Sequence, residues 1–150
     1  MIRGIECTLS PRGLANLLMY FRQDSSKFFV PWCLVHQTGL VEQISIPETR
    51  EYRNITLTAC EMDAVIGMSI WELVLHKYPD EKQVQAIDSY EDFVNSDCEL
   101  CLLYYDCGPL EIYIKDANCI QSIWNRLVSL NAQDLKLITD TNDNRSFLYV

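Results

Sequence analysis

Histidine, glycine and basic charge are scarce in this chain, and each shortage removes a class of function. Two histidines, His36 and His76, leave general acid–base chemistry to carboxylates, and plentiful carboxylates without a spaced motif select no catalytic pair. Five glycines leave little room for a phosphate-cradling loop, and neither G-x-G-x-x-G nor a Walker loop occurs. Lys and Arg number 12 against 21 Asp and Glu, for a net charge of −9. Such a field repels phosphate backbones and acidic membranes and excludes nucleic acid as the expected partner.

Long apolar runs are missing too. The longest, Leu100 to Tyr105, falls far short of the ~20 residues that a membrane helix needs. The opening M-I-R-G-I-E-C has neither the apolar core nor the small-residue cleavage site of a secretory signal. These features point to a cytoplasmic protein with no membrane association. Seven cysteines, an odd number without an export signal, point to reduced thiols and not to a disulfide framework. Most of them are expected to pack as small hydrophobes.

What is present is an ordinary globular composition, 49% hydrophobic and 22% charged over 150 residues, which suits one domain spanning residues 1–150. The charge is unevenly placed. Residues 1–79 hold eight acids and seven bases, residues 80–116 hold ten and two, and residues 117–150 hold three of each. Nearly all the excess therefore lies in the middle segment, net −8.

That segment contains S-D-C-E-L-C-L-L-Y-Y-D-C-G-P-L-E-I-Y-I-K-D, Ser96 to Asp116, which reads as a β-hairpin. A four-residue loop, Asp106 to Pro109, would set Tyr105 opposite Leu110, Leu103 opposite Ile112 and Cys101 opposite Ile114, an apolar face. The other face would pair Tyr104 with Glu111, Leu102 with Tyr113 and Leu100 with Lys115.

Elsewhere, Ile2 to Leu9 reads as a strand. Ser10-Pro11 starts a helix with the stripe Leu14, Leu17, Leu18 and Phe21. Phe28 to His36 and Leu40 to Ile46, divided by Gln37-Thr38-Gly39, read as a second hairpin, Pro47 to Asn54 as a loop, and Ile55 to Cys60 as a strand. Ser69-Ile70-Trp71-Glu72 fits a capping box opening a helix to about Lys77. A short strand is expected at Val84 to Ile87, and a brief capped helix from Ser89. Asp116 caps the clearest helix, with Ile120, Ile123, Trp124, Leu127 and Val128 on one stripe, expected to cross the apolar face of the hairpin. Leu135 to Thr139 and Ser146 to Val150 would close the sheet. The sum is an α+β fold, a mostly antiparallel sheet built from hairpins with three to four helices packed on it.

Three constellations invite chemistry. Cys98 and Cys101 form C-x-x-C with Cys107 and Cys119 following, but on a strand the first two would point to opposite faces and no histidine lies nearby. Buried thiols are the better account, and no cofactor or metal is assigned. Cys33 and His36 are the one close thiol–imidazole pair; on a strand, three residues apart, they too would face oppositely, so only partners distant in sequence could complete a site. Asp140, Asn142 and Asn144 copy the start of a calcium loop, but Arg145 stands where glycine is needed, so a solvated turn fits better.

The stretches I-R-G-I (Ile2 to Ile5), S-D-C-E (Ser96 to Glu99), Y-D-C (Tyr105 to Cys107), I-Y-I-K-D (Ile112 to Asp116) and I-T-D-T-N-D-N-R (Ile138 to Arg145) carry a resemblance. With them the chain resembles a family of small uncharacterised bacterial proteins of about this length. The resemblance implies a bacterial, cytosolic, single compact domain and supplies no mechanism.

The expectation from these residues is a non-enzymatic acidic interaction module, immunity- or inhibitor-like or an adaptor, that binds a basic protein partner. Glu99, Tyr104, Glu111, Tyr113 and Asp116 are its candidate contact residues, since tyrosine is favoured at binding surfaces. It requires an open hairpin face. The alternative is a small-molecule- or metal-binding domain, possibly an enzyme, with a pocket of cysteine, tyrosine and carboxylates.

Overall fold

The computed structural model describes residues 1–23, 32–40, 55–56, 63, 65–66, 69–105 and 108–148. In chain order its elements are β1 (Ile2–Thr8), α1 (Pro11–Gln23), β2 (Trp32–Leu40), β3 (Ile55–Thr56), β4 (Ser69–Lys77), a 3₁₀ turn (Glu81–Gln83), α2 (Tyr90–Asn95), β5 (Leu100–Tyr105), β6 (Leu110–Ile114), α3 (Ala117–Ser129) and β7 (Gln133–Thr139). The strands make one sheet in the order β3-β2-β4-β5-β6-β1-β7, and every neighbouring pair is antiparallel. With three α-helices among the described elements, this is the α+β architecture that the sequence pattern indicates.

Alternation along the strands divides the core into two layers. On one face, Ile5, Leu73, Leu75, Leu100, Leu102, Tyr104, Leu110, Ile112 and Ile114 pack under Leu14, Leu17, Leu18 and Phe21 of α1 and Ile120, Ile123 and Leu127 of α3. The other face, with Val74, Cys101, Leu103, Tyr113 and Ile138, lies under Phe93 of α2, Ile87 and Leu148.

Local chemistry accounts for the helix starts. The Ser10 hydroxyl accepts the Gly13 N–H at 3.0 Å, and Ser89 and Asp92 close a reciprocal capping box at α2. Asp116 caps α3 by accepting the Asn118 N–H at 2.9 Å. In β1, a Cβ on Gly4 would stand 2.1 Å from the Ile112 carbonyl oxygen, so β6 approaches closely only because the residue is glycine.

Several expectations change. The hairpin exists, but its register is displaced by one residue: Leu100 stands opposite Ile114, Leu102 opposite Ile112 and Leu103 opposite Glu111. Tyr105 pairs instead with Glu72 of β4, and its ring lies where a Gly108 Cβ would be. The displaced register gathers the largest aliphatic residues of both strands under the helices. That gain in apolar burial outweighs the tighter loop.

The segment from Ser69 is strand β4, not a helix. Ile70 and the unbroken run Leu73 to Tyr78 are buried, and β4 is paired on both sides. A strand covered on both faces reads as a continuous apolar run, which the apparent capping box concealed. Gln37-Thr38-Gly39 lies inside β2, where the ladder with β4 is irregular between Thr38 and Gly39. The turn signal marks a bulge, so this second hairpin is not formed there. Phe28 to Pro31, residues 41–54 and residues 57–60 lie outside the described residues.

Val84 to Ile87 forms no strand; Ile87 is a plug in the second layer. Of the expected last strand, Ser146 to Val150, residues 149–150 lie outside the described residues, and 146–148 make a single bridge, between Phe147 and Ser89. Val128 is 55% exposed, off the buried stripe of α3.

Candidate functional site

Lys77, Leu100 and Ile114 stand side by side as one row across β4, β5 and β6. It is the last row on the helix-covered face, and α3 begins just beyond it at Asp116. Between the row and the first turn of α3 opens a cleft of about 340 Å³, lined by Lys77, Glu99, Leu100, Ile114, Lys115, Asp116 and Cys119.

A lysine in an apolar row needs a counter-charge. Lys77 is 6% exposed, and its Nζ lies 2.6 Å from Oε2 of Glu99, whose side chain is 45% exposed. The Glu99 N–H donates to the Lys77 carbonyl at 2.8 Å, and the Lys115 N–H to the Glu99 carbonyl at 3.1 Å. Glu99 is thus fixed by backbone on both sides. The Lys115 ammonium donates to the Ser96 carbonyl and lies 5.1 Å from the Phe93 ring centroid; burial lowers its pKa.

The Asn118 N–H, then the Cys119 thiol, hold the Asp116 carboxyl below its ordinary range. Cys119 donates to Asp116 Oδ2 at 3.5 Å, and burial followed by that bond pushes the thiol pKa up. A thiol held protonated is a poor nucleophile. Burial pushes Cys7 and Cys98 up to about 12 and Cys101 well above its usual value. Cys119, the cysteine that lines the cleft, is therefore not an activated nucleophile.

Of the five candidate contact residues, the structure brings Glu99 and Asp116 together at this cleft. It removes the other three from the surface. Tyr104 is 2% exposed under the helices, while Tyr113 and Glu111, at 0% and 8%, lie on the opposite face under α2. The open hairpin face that the reading required is absent, because α2 and the C-terminal segment cover it. Beneath them, Arg145 Nε is 2.7 Å from Glu111 Oε2, and the Tyr113 hydroxyl donates to Asp143 at 3.4 Å. Burial is the first cause that raises the pKa of both Glu111 and Tyr113.

The cysteine set also differs from expectation. Cys98 precedes β5, so strand alternation does not apply to it, and it shares the second layer with Cys101. Cys119 lies at the cleft, and Cys107 is outside the described residues. Among the described residues no group of three His, Cys, Asp or Glu is placed to hold a metal. In the D-T-N-D-N turn, Asp140 binds Arg3 at 2.7 Å and Asn142 accepts the Thr139 N–H at 2.7 Å, so these side chains serve the fold.

Sequence reasoning missed Lys77 and set Cys119 aside as a packing thiol. Lys77 was hidden by the helical reading of β4; a strand reading of S-I-W-E-L-V-L-H-K would have exposed a lysine ending a buried run. Cys119 carries no local signal apart from its position three residues after the cap.

No helix described is long and apolar enough to cross a membrane, and no solved structure matches the chain. The uncharacterised protein YncE of Bacillus subtilis (strain 168) is 38% identical over 76 residues, which is 51% of this chain and 50% of that relative. The matching region thus spans about half the length of the curated relative. A family model described as Protein of unknown function (DUF2691) matches residues 68–149, from the start of β4 past β7 and including every residue of the cleft. That match takes in more than half of the sequence, and the chain belongs to this family of small proteins of unknown function.

Proposed function

We propose that this protein is a non-enzymatic acidic interaction module, immunity- or inhibitor-like or an adaptor, that binds a basic protein partner. One observation carries the reading. In the net −8 segment, Asp80, Asp88, Glu91, Asp92, Asp97 and Asp116 are exposed and Glu99 is half-buried, against two exposed bases, Lys82 and Lys115. The contact surface moves from the hairpin face to the outer side of the α2 region and the rim formed by Glu99 and Asp116. A one-signed surface of this kind steers a basic partner and rejects acidic ones. A cytoplasmic setting belongs to the same proposal and is supported by Cys7, Cys98, Cys101 and Cys119 standing as free thiols.

The test is capture of partners from a bacterial lysate with wild-type protein and with the triple variant Asp88→Asn, Glu91→Gln, Asp97→Asn. These exposed substitutions should leave stability within about 0.5 kcal/mol. The expected result is basic partners on the wild type and their loss on the variant. Acidic partners, or equal capture by both proteins, would end the reading.

The cleft favours a second reading, small-molecule binding, with charged groups at its rim and Leu100 and Ile114 as an apolar floor. A thermal-shift screen of metabolite mixtures on wild type and Asp116→Asn checks it, since asparagine keeps the helix cap and removes the charge.

A further inference from the structure

The two lysines of the cleft have their charges engaged, and this decides which ligand the cleft can take. Lys77, with a side chain only 7% exposed, holds Glu99 Oε2 at 2.6 Å. The Lys115 ammonium is drawn to the end of α2, where it donates to the Ser96 carbonyl and lies 5.1 Å from the Phe93 ring centroid. Phe93 belongs to the second core layer, so this charge is spent on that layer.

The carboxylates are placed differently. Glu99 gives one oxygen to Lys77 and leaves 45% of its side chain exposed. Asp116 is exposed, and its partners are neutral donors: the Asn118 N–H and side-chain amide, both at 2.9 Å, and the Cys119 thiol at 3.5 Å. Among the described residues Asp116 forms no ion pair.

The same residue excludes an anion. Phosphates and carboxylates bind at helix N-termini, on backbone N–H groups, but at α3 that place is filled by the carboxylate of Asp116 itself. What the cleft offers to solvent is therefore negative charge at the rim above Leu100 and Ile114. Its setting in the net −8 segment adds to the attraction of a cation. A volume of about 340 Å³ is near the small end of the range for ligand sites, about 300–1,000 Å³, and admits one short chain or ring.

Resting on the small-molecule reading of this cleft, we propose that it binds a primary ammonium group carried on a short apolar body. The ammonium meets Glu99 and Asp116, and the body lies on Leu100 and Ile114. Three N–H donors on such a group suffice for both carboxylates. Two sources share this chemistry, a free alkylamine and the side chain of a lysine on another protein, whose stem is apolar.

Nitrogen-15 NMR spectra of the full chain, titrated with n-pentylamine and with N-acetyl-lysine N-methylamide, test the proposal. Pentanol and pentanoate serve as the uncharged and anionic counterparts. The expected result is saturable shifts at Glu99, Leu100 and Asp116 to Cys119 with pentylamine, and none with pentanol or pentanoate. Asp116→Asn keeps the helix cap and should weaken binding roughly fivefold, the scale of one part-exposed ion pair. Glu99→Gln should weaken it as well; should that variant fail to fold for want of a counter-charge on Lys77, Asp116→Asn carries the test. Glu91→Gln, an exposed charge outside the cleft, should change nothing. Binding of the blocked lysine assigns the site to a protein side chain, and binding of pentylamine alone assigns it to free amines; either result supports the proposal. Pentanol or pentanoate binding at the same residues as tightly as pentylamine would overturn it and leave the small-molecule reading standing. Absence of saturable shifts with both amines, or pentylamine binding indifferent to Asp116→Asn, would also overturn it, and the metabolite screen then decides the broader reading separately.

Discussion

Beneath α1 and α3 the sheet offers Leu73, Leu75, Leu100, Leu102, Ile112 and Ile114, whereas beneath α2 the same strands offer His76, Cys101, Glu111 and Tyr113. The first face needs only area, since apolar burial is non-directional and tolerates repacking. The second needs partners: Glu111 has Arg145, Tyr113 has Asp143, and Arg3 lies 4.1 Å over the Tyr90 ring. Partnered polar groups specify one arrangement more narrowly than aliphatic ones. The contrast teaches where to look for function, because a face that departs from the apolar solution retains groups able to do chemistry.

Substitutions can break or sharpen this contrast. The largest effect should come from Phe93→Ala, which removes a fully buried ring from the thin cover of the second face and should cost about 3–5 kcal/mol in urea unfolding. Leu17→Ala, under the thicker first cover, should cost about 2–4 kcal/mol; a much larger loss there would reverse the ranking of the two covers. Arg145→Ala should cost roughly 2–3 kcal/mol by leaving the Glu111 carboxylate without its counter-charge. Glu111→Gln on top of it should restore part of that loss, and a double-mutant cycle without coupling would show the pair to be incidental.

Ser89→Ala, which opens the capping box of the short α2, should cost about 1 kcal/mol. The smallest effect expected is a pH trend. Asp92, Asp116 and Asp140 have folded pKa values below their usual range because each accepts hydrogen bonds. The unfolded chain therefore takes up their protons first as pH falls, so their contribution is intact above the ordinary carboxylate pKa and fades below it. Glu111 runs oppositely: burial raises its pKa, so its contribution fades as pH rises through that raised value. Urea midpoints measured from pH 3 to pH 7 for wild type and Glu111→Gln would separate the two slopes.

The sequence showed the first strand, the two flanking helices, the capped α2, the hairpin and β7, because each carries its own periodicity or cap. Its failures share a cause. Ser69-Ile70-Trp71-Glu72 satisfies a helix-start pattern locally, yet β4 is decided by neighbours far away in the chain, β2 and β5. The hairpin register was misjudged because Tyr105 is claimed by Glu72 of β4, a contact that a two-strand argument omits. Glu99 and Asp116 were legible as members of an acidic segment. Lys77 and His76 were not, since both depend on β4 being a strand. The position of His36 opposite Val74 depends further on a register shift in β2, which no local pattern announces.

The placement of β1 has a consequence for the order in which the protein can be made. It lies between β6 and β7, with Cys7 opposite Leu110 and Ile2 opposite Thr139, so β1 is bound on both sides by strands that are synthesised long after it. Contacts of such long sequence separation delay folding, because the loop-closure entropy precedes the reward. The nascent chain must hold an unpaired, partly apolar strand until β6 and β7 have been synthesised. That interval should be this protein's most aggregation-prone moment, and a chaperone that shields the N-terminal strand would shorten it.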